Sequence, residues 1–209
     1  YPAAFTAVEN REQTAICYHD TATEYMDLCW LVNRLVHDPD ERSAPWPSSL
    51  KEVADYATVV TSTQKGHTYT NHVNLGALWG AAAFWVDPGH NAAGRPLDQI
   101  VSKDWFRARL WEDITTLVQD LSAKGIKLAV NAAGQNTILG LIRKRLQQGV
   151  AAVHFDETQK DDGTDLPRAT AITITDADIT AQRLRFDVEA VFATSARVFT
   201  LNVYLQQTA

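Results

Sequence analysis

Gln182-Arg183-Leu184-Arg185-Phe186-Asp187-Val188-Glu189-Ala190-Val191-Phe192 alternates cleanly. Leu184, Phe186, Val188, Ala190 and Phe192 fall on one side, and Arg183, Arg185, Asp187 and Glu189 on the other. Period-two patterning of this kind marks a strand with one face buried and one face in water. It resumes from Arg197 to Gln206, where Phe199, Leu201, Val203 and Leu205 oppose Thr200, Asn202, Tyr204 and Gln206. The end of the chain therefore reads as β-strands running almost to the last residue. Chain ends fray unless something ties them down. Here four large apolar residues lie close to the end, each worth about 1.5–3 kcal/mol when buried. The strand Val198-Phe199-Thr200-Leu201-Asn202-Val203-Tyr204-Leu205 must pair, in its own sheet or in that of another copy.

Upstream the period changes. A helix is predicted over 103–123, with Ser102 as N-cap, Asp104 at the positive helix start and Gly125 as the stop. Phe106, Leu110, Ile114, Leu117 and Leu121 form one stripe along it at helical spacing. A short apolar strand is expected over 126–131. A second amphipathic helix follows over 134–148, with Ile138, Leu139, Ile142 and Leu146 inward and Arg143, Lys144 and Arg145 largely outward, ended by Gly149. A strand near 150–155 and an acidic loop over 156–165 lead to the β-rich end.

Nearer the start, a strand over 13–18 precedes a helix over 23–36 that carries Met26, Leu28, Trp30, Leu31, Val32 and Leu35. Residues 37–48 read as loop, with Pro39, Pro45 and Pro47. Ser49-Leu50-Lys51-Glu52 fits a capping box opening a short helix to Tyr56. A strand-like piece over 57–61, a polar segment to Asn74 and a small-residue run to Val86 come next, before Asp87-Pro88-Gly89 breaks the chain. Strands alternating with helices, then a run of strands, give an α/β (α+β) fold: a mixed sheet flanked by helices with a β-rich C-terminal portion.

Composition narrows the functional classes. A chain of 209 residues fits one medium domain, or one domain with a smaller appendage. With 45% hydrophobic and 21% charged residues it can build a core and does not read as disordered. A net charge of −6 argues against a sequence-independent nucleic-acid binder, which needs cations to neutralise phosphates. The longest apolar run, 75–86, contains Gly76 and Gly80 and is too short to span a bilayer. No Lys- or Arg-led hydrophobic segment opens the chain, so no signal peptide is expected, and Tyr1 reads as a domain cut from a longer protein. Cys17 and Cys29 are the only cysteines, both in apolar surroundings, and read as small buried hydrophobes in a reducing compartment.

Candidate chemistry is sparse. Gly89-His90-Asn91-Ala92-Ala93-Gly94-Arg95-Pro96 has the outline of a phosphate loop but lacks the lysine and hydroxyl residue, and proline replaces an N–H donor. The stretch from Asp156 to Asp165 is acidic, yet Thr158 and Lys160 stand where a calcium loop needs carboxylates. His67 and His72 have no third ligand nearby. His154 and Asp156 flank Phe155 and are expected on one strand face, where a hydrolase could place a base, but no Gly-x-Ser-x-Gly elbow accompanies them. Trp79, Trp85, Trp105 and Trp111, with Phe84 and Phe106, make an aromatic middle that suits a ligand groove, core packing or subunit contact. No catalytic, cofactor or metal residue is assigned; a hydrolase centred on His154/Asp156 and a small-ligand-binding module are the alternatives.

One resemblance organises these elements. The succession Val101-Ser102-Lys103-Asp104-Trp105-Phe106, a long helix, Lys124-Gly125-Ile126-Lys127, then Asn131-Ala132-Ala133-Gly134-Gln135 opening a second helix, resembles bacteriophage contractile tail-sheath proteins. Asn71-His72-Val73-Asn74 and Phe84-Trp85-Val86 before Pro88-Gly89 fit the same order. The likeness runs from Thr61 to Ala209 and implies a division into an N-terminal portion without assigned role (1–60), a sheath-like core (61–195) and a C-terminal strand or arm (196–209). It implies a structural, non-enzymatic subunit that uses no cofactor and assembles with copies of itself into stacked helical rings. The arm, 198–205, would add a strand to a neighbour's sheet. The implied partners are the tail tube and baseplate, with neither nucleic acid nor membrane among them. The implied location is the phage tail of the virion, assembled in the host cytoplasm.

Overall fold

The structure, a computed structural model, describes residues 14–18, 25–44, 46, 48–49, 61–79, 83–160 and 162–193. The strand read at 198–205 and the helix expected at 50–56 lie outside these residues. The fold is α+β: long helices with several small sheets.

The first sheet gathers β1 (Ile16–Tyr18), β2 (Ser48–Ser49), β3 (Val73–Trp79) and β4 (Ala83–Asp87) in the order β1-β3-β4-β2. β3 and β4 form an antiparallel hairpin from the small-residue run, and β2 pairs antiparallel with β4. β1 lies parallel to β3, with Ile16 opposite Val73 and Tyr18 opposite Leu75. Asn74 ties this join together: its buried amide donates to the carbonyls of Ile16 and His90 and accepts from the His90 N–H. α1 (Met26–Leu35) packs its Met26 and Trp30 against Val86 and Leu97 to form a small core. α2 (Ser62–Thr70) forms within the segment that reads only as polar, and the strand-like piece expected at 57–61 lies, Thr61 apart, outside the described residues. α2 buries none of its residues and so carries no apolar stripe; it starts on a capping box in which Thr61 accepts from the Gln64 N–H and Gln64 answers to the Thr61 N–H.

The second core forms between α3 (Leu97–Ala123) and α4 (Ala132–Ala151). α3 begins ahead of the expected start, after Pro96, because Leu97 is drawn into the first core and Asp98 suits the helix start. Ser102 is therefore not an N-cap but a buried residue inside the helix. At the other end Gly125, with φ +66°, closes the helix as anticipated. Its N–H donates to the Ser122 carbonyl and the Ile126 N–H to the Leu121 carbonyl, a Schellman closure. That closure takes Ile126 and leaves no strand at 126–131. Asn131 then caps α4 by accepting from the Gly134 N–H.

Ile138, Leu139, Ile142 and Leu146 are all buried, with Phe106, Leu110, Ile114 and Leu117 packed against them. Gly149 does not end α4. It lets the helix pass under aromatic rings, since a Cβ there would meet Phe155 at 2.5 Å and Trp105 at 3.2 Å. The strand expected at 150–155 shrinks to β5 (Phe155–Asp156), because α4 runs on to Ala151 and Val153 turns the chain with φ +59°. A short apolar run cannot by periodicity alone be told from the end of a buried helix.

Within the acidic loop, β6 (Thr158–Gln159) and β7 (Asp165–Leu166) form a hairpin. β8 (Arg168–Ala171) leads to α5 (Asp176–Thr180), and the alternating stretch that follows divides into β9 (Phe186–Glu189) on β8 and β10 (Val191–Phe192) on β5. The alternation holds only in part: Leu184, Phe186, Ala190 and Phe192 pack on the helical core, but Val188, expected on the same face, is exposed. Two of the charged residues opposite, though largely exposed, pair within the chain. Arg183 and Arg185 both bond the buried Asp178 carboxylate, at 2.6 and 2.7 Å.

Candidate assembly interface

α1 has two apolar stripes. Met26 and Trp30, one turn apart, face the small core. Leu28, Leu31, Val32 and Leu35 fall at i, i+3, i+4 and i+7 on the other side and are 43–72% exposed. A helix apolar on all sides is ordinarily buried on all sides. In the sequence these side chains form one apolar set; the signal that separates them is that two stripes fit the 3.6-residue period, and one helix can face only one core of its own.

Beside this face runs a groove of about 500 Å³ lined by Cys17 of β1, Leu28 and Leu31 of α1, Trp46, and Ile100 and Val101 of α3. Its charged lining residues are two carboxylates, Asp27 and Asp104. Trp46 is held there by an edge-on contact with Trp30 at 5.4 Å and by the Trp30 Nε1–H bond to its carbonyl. β1 is an edge strand, pairing among the described strands only with β3. Burial, with the Asp27 charge, pushes the Cys17 thiol up to about 12, so it lines the groove as a neutral hydrophobe. A strand edge with no second partner among the described strands, beside an apolar groove, fits an added strand: main-chain groups pair along the edge, and alternate side chains enter the groove.

The hydrolase alternative meets a different geometry at His154. His154 and Asp156 do not share a polar strand face: His154 precedes β5 and is fully buried, Phe155 is buried, and Asp156 is exposed. The ring stacks on Trp105, with centroids 4.2 Å apart, and bonds the Ser102 hydroxyl through Nδ1 at 2.8 Å and the Pro39 carbonyl through Nε2 at 2.7 Å. A serine–histidine contact exists, but both groups are fully buried and both ring nitrogens are engaged. Around this pair, Asp40 accepts from Trp105 Nε1 and pairs with Arg109, and Arg145 pairs with Asp113. The Trp105 and Arg109 bonds hold the Asp40 carboxyl below the usual carboxylate range. The arrangement fastens the loop after α1 onto α3 and α4.

The remaining candidates resolve individually. The turn at 89–96 spends its N–H groups internally: Ala93 and Arg95 donate to the Asn91 side chain, Gly94 to the Asn91 carbonyl and Ala92 to Thr14. Among the described residues no group of three His, Cys, Asp or Glu could hold a metal, and no helix is long and apolar enough to cross a membrane. Trp105 and Phe106 belong to the helical core, whereas Trp111 is 71% exposed. A second groove, of about 840 Å³ between α4 and the β6–β7 hairpin, mixes Arg143 and Arg168 with Glu157 and Asp165 and presents no focused charge.

No protein family and no curated protein matches the sequence. Solved structures match the fold. A chain of an extracellular contractile injection system, the PVC sheath complex in its contracted state, superposes with a TM-score of 0.61 at 14% identity, over 97% of this chain and 59% of that one. A chain of the anti-feeding prophage baseplate superposes with a TM-score of 0.63 at 13% identity, over 97% of this chain and 57% of that one. The chain is thus contractile-sheath-like in fold, as the order of its short sequence words implied, and spans less than two thirds of the length of these structures.

Proposed function

We propose that this protein is a structural subunit of a contractile tail sheath, whose copies join into stacked helical rings around a tail tube by adding a terminal strand to a neighbour's sheet. The observation that carries this reading is the sheath-like fold, matched over 97% of the chain. The strand is residues 198–205, part of an arm at 196–209 beyond a core at 61–195, and its receptor is the β1 edge of the next copy. Two features support that receptor. Phe199, Leu201, Val203 and Leu205 supply an apolar side chain at every second position, as a groove beside a strand edge requires. Arg197, the one charged residue of 196–209, complements the Asp27 and Asp104 carboxylates of the groove.

A contact that joins different surfaces of successive copies does not close on itself and yields a filament. Function is then mechanical: linked subunits change from one packing to another while the strand keeps them attached, with no cofactor and no bond chemistry. The partners are further copies, the tail tube and the baseplate; the setting is the tail of a phage virion assembled in the host cytoplasm, or a related injection particle. Deleting 196–209 tests the reading. The expected product is a folded monomer, with unchanged circular dichroism and thermal midpoint, that no longer sediments as polymer. Unfolding on deletion would assign the strand to its own sheet, and undiminished polymer would assign assembly to another surface.

A further inference from the structure

His154 is the fully buried histidine of the described residues, and it sits where the loop after α1 is fastened to the helical core. Three attachments hold that loop. The Pro39 carbonyl accepts from His154 Nε2–H at 2.7 Å, Asp40 accepts from Trp105 and pairs with Arg109, and the Ser43 N–H donates to the Ala152 carbonyl at 2.6 Å. We propose that His154 is a proton-operated latch: taking up a proton releases the 36–44 loop from α3 and α4 and loosens the joint between the two cores while each stays folded. The inference is independent of the assembly reading.

The chemistry follows from the partners. A carbonyl can only accept, so Nε2 carries the hydrogen and Nδ1 accepts from the Ser102 hydroxyl. A proton added at Nδ1 turns that acceptor into a donor. Ser102 must then swing its own hydrogen away, toward the Ser43 hydroxyl at 3.4 Å, which is too long for a strong bond.

The charged groups around the ring do not compensate. From the loop, Asp40 favours a cation but is already paired with Arg109 of α3, which also binds Glu112. From α4, Arg145 lies 5.9 Å from the Trp105 ring and is paired with Asp113. Asp156 of β5 is exposed. Burial lowers the affinity of the ring for a proton, and the Pro39 bond and Asp40 oppose this only in part. The sign is then fixed. Below about pH 6.5 a released, hydrated histidine binds a proton that the latched ring does not, so acid favours release.

Amide exchange of Ser43 in the full chain reads the latch directly. After correction for intrinsic exchange, its protection should fall by up to about tenfold per pH unit below pH 6.5, while the Ile142 amide keeps its protection. In His154→Gln, whose amide can donate to Pro39 and accept from Ser102 without titrating, the Ser43 profile should be flat. Constant protection in the unaltered chain, or an identical pH profile in the variant, would overturn the proposal. Should the variant fail to fold, NMR titration of the His154 ring in the unaltered chain decides. Ser43 exposure tracking ring protonation supports the latch, and an unrelated midpoint rejects it.

Discussion

The two cores meet on one helix, α3, and are finished to different degrees. The helical core closes Ile138, Leu139, Ile142 and Leu146 under Trp105 and Phe155, with the C-terminal strands laid over it. Among the described residues the sheet-bearing core clusters Met26, Trp30, Val86 and Leu97 under strands two to seven residues long, and Leu28, Leu31, Val32 and Leu35 of α1 stay exposed. An isolated monomer gains nothing from a contiguous exposed apolar face, which ordinarily marks a contact with another chain. The difference suggests a division of labour: one region carries stability, and in the proposed assembly the other receives a neighbour.

Mutations can break that comparison, beginning with the largest effect. Ile142→Ala removes a fully packed side chain from the helical core and should cost about 2–5 kcal/mol in equilibrium denaturation. A loss below about 1 kcal/mol would mean that this core is no tighter than the other.

Asp178→Asn is next. Arg185, Arg183 and Thr175 hold the Asp178 carboxyl well below the usual carboxylate range, so its contribution is full above the ordinary carboxylate pKa and is lost as pH falls through the lowered one. The Asn variant should therefore melt lower than the unaltered protein at pH 7, and the two melting temperatures should converge on acidification. A gap between the two melting temperatures that stays constant through the acid range well below the ordinary carboxylate pKa would show that Asp178 does not support the C-terminal strands.

The smallest effect on stability sharpens the comparison most. Leu28→Lys with Leu35→Lys alters only exposed side chains and should shift the unfolding free energy by no more than about 0.5 kcal/mol each. If the α1 face and its groove are the receptor, the same pair should raise the concentration needed for polymer, read by sedimentation. A large loss of monomer stability would place the face in an intramolecular contact instead.

The helical core was legible in the sequence because long amphipathic helices carry a repeated signal, and each of Ile138, Leu139, Ile142 and Leu146 lies where the period put it. What escaped was set by tertiary context. Pro96 and the burial of Leu97 moved the start of α3, a Schellman closure consumed Ile126, and Gly149 marks a close approach of rings where the sequence suggested a helix stop. α2 carries no apolar pattern, so only its capping box announces it. The groove was illegible because its walls come from β1, α1 and α3, which no local period connects. The order of short words from Val101 to Gln135 did point to the sheath-like fold, whereas 198–205 lies beyond the described residues.

Electron microscopy of the full-length protein, purified over a range of concentration and salt, tests the central claim most directly. The account predicts hollow tubes or stacked rings that grow with concentration. Uniform monomers or small closed oligomers under every condition would contradict it.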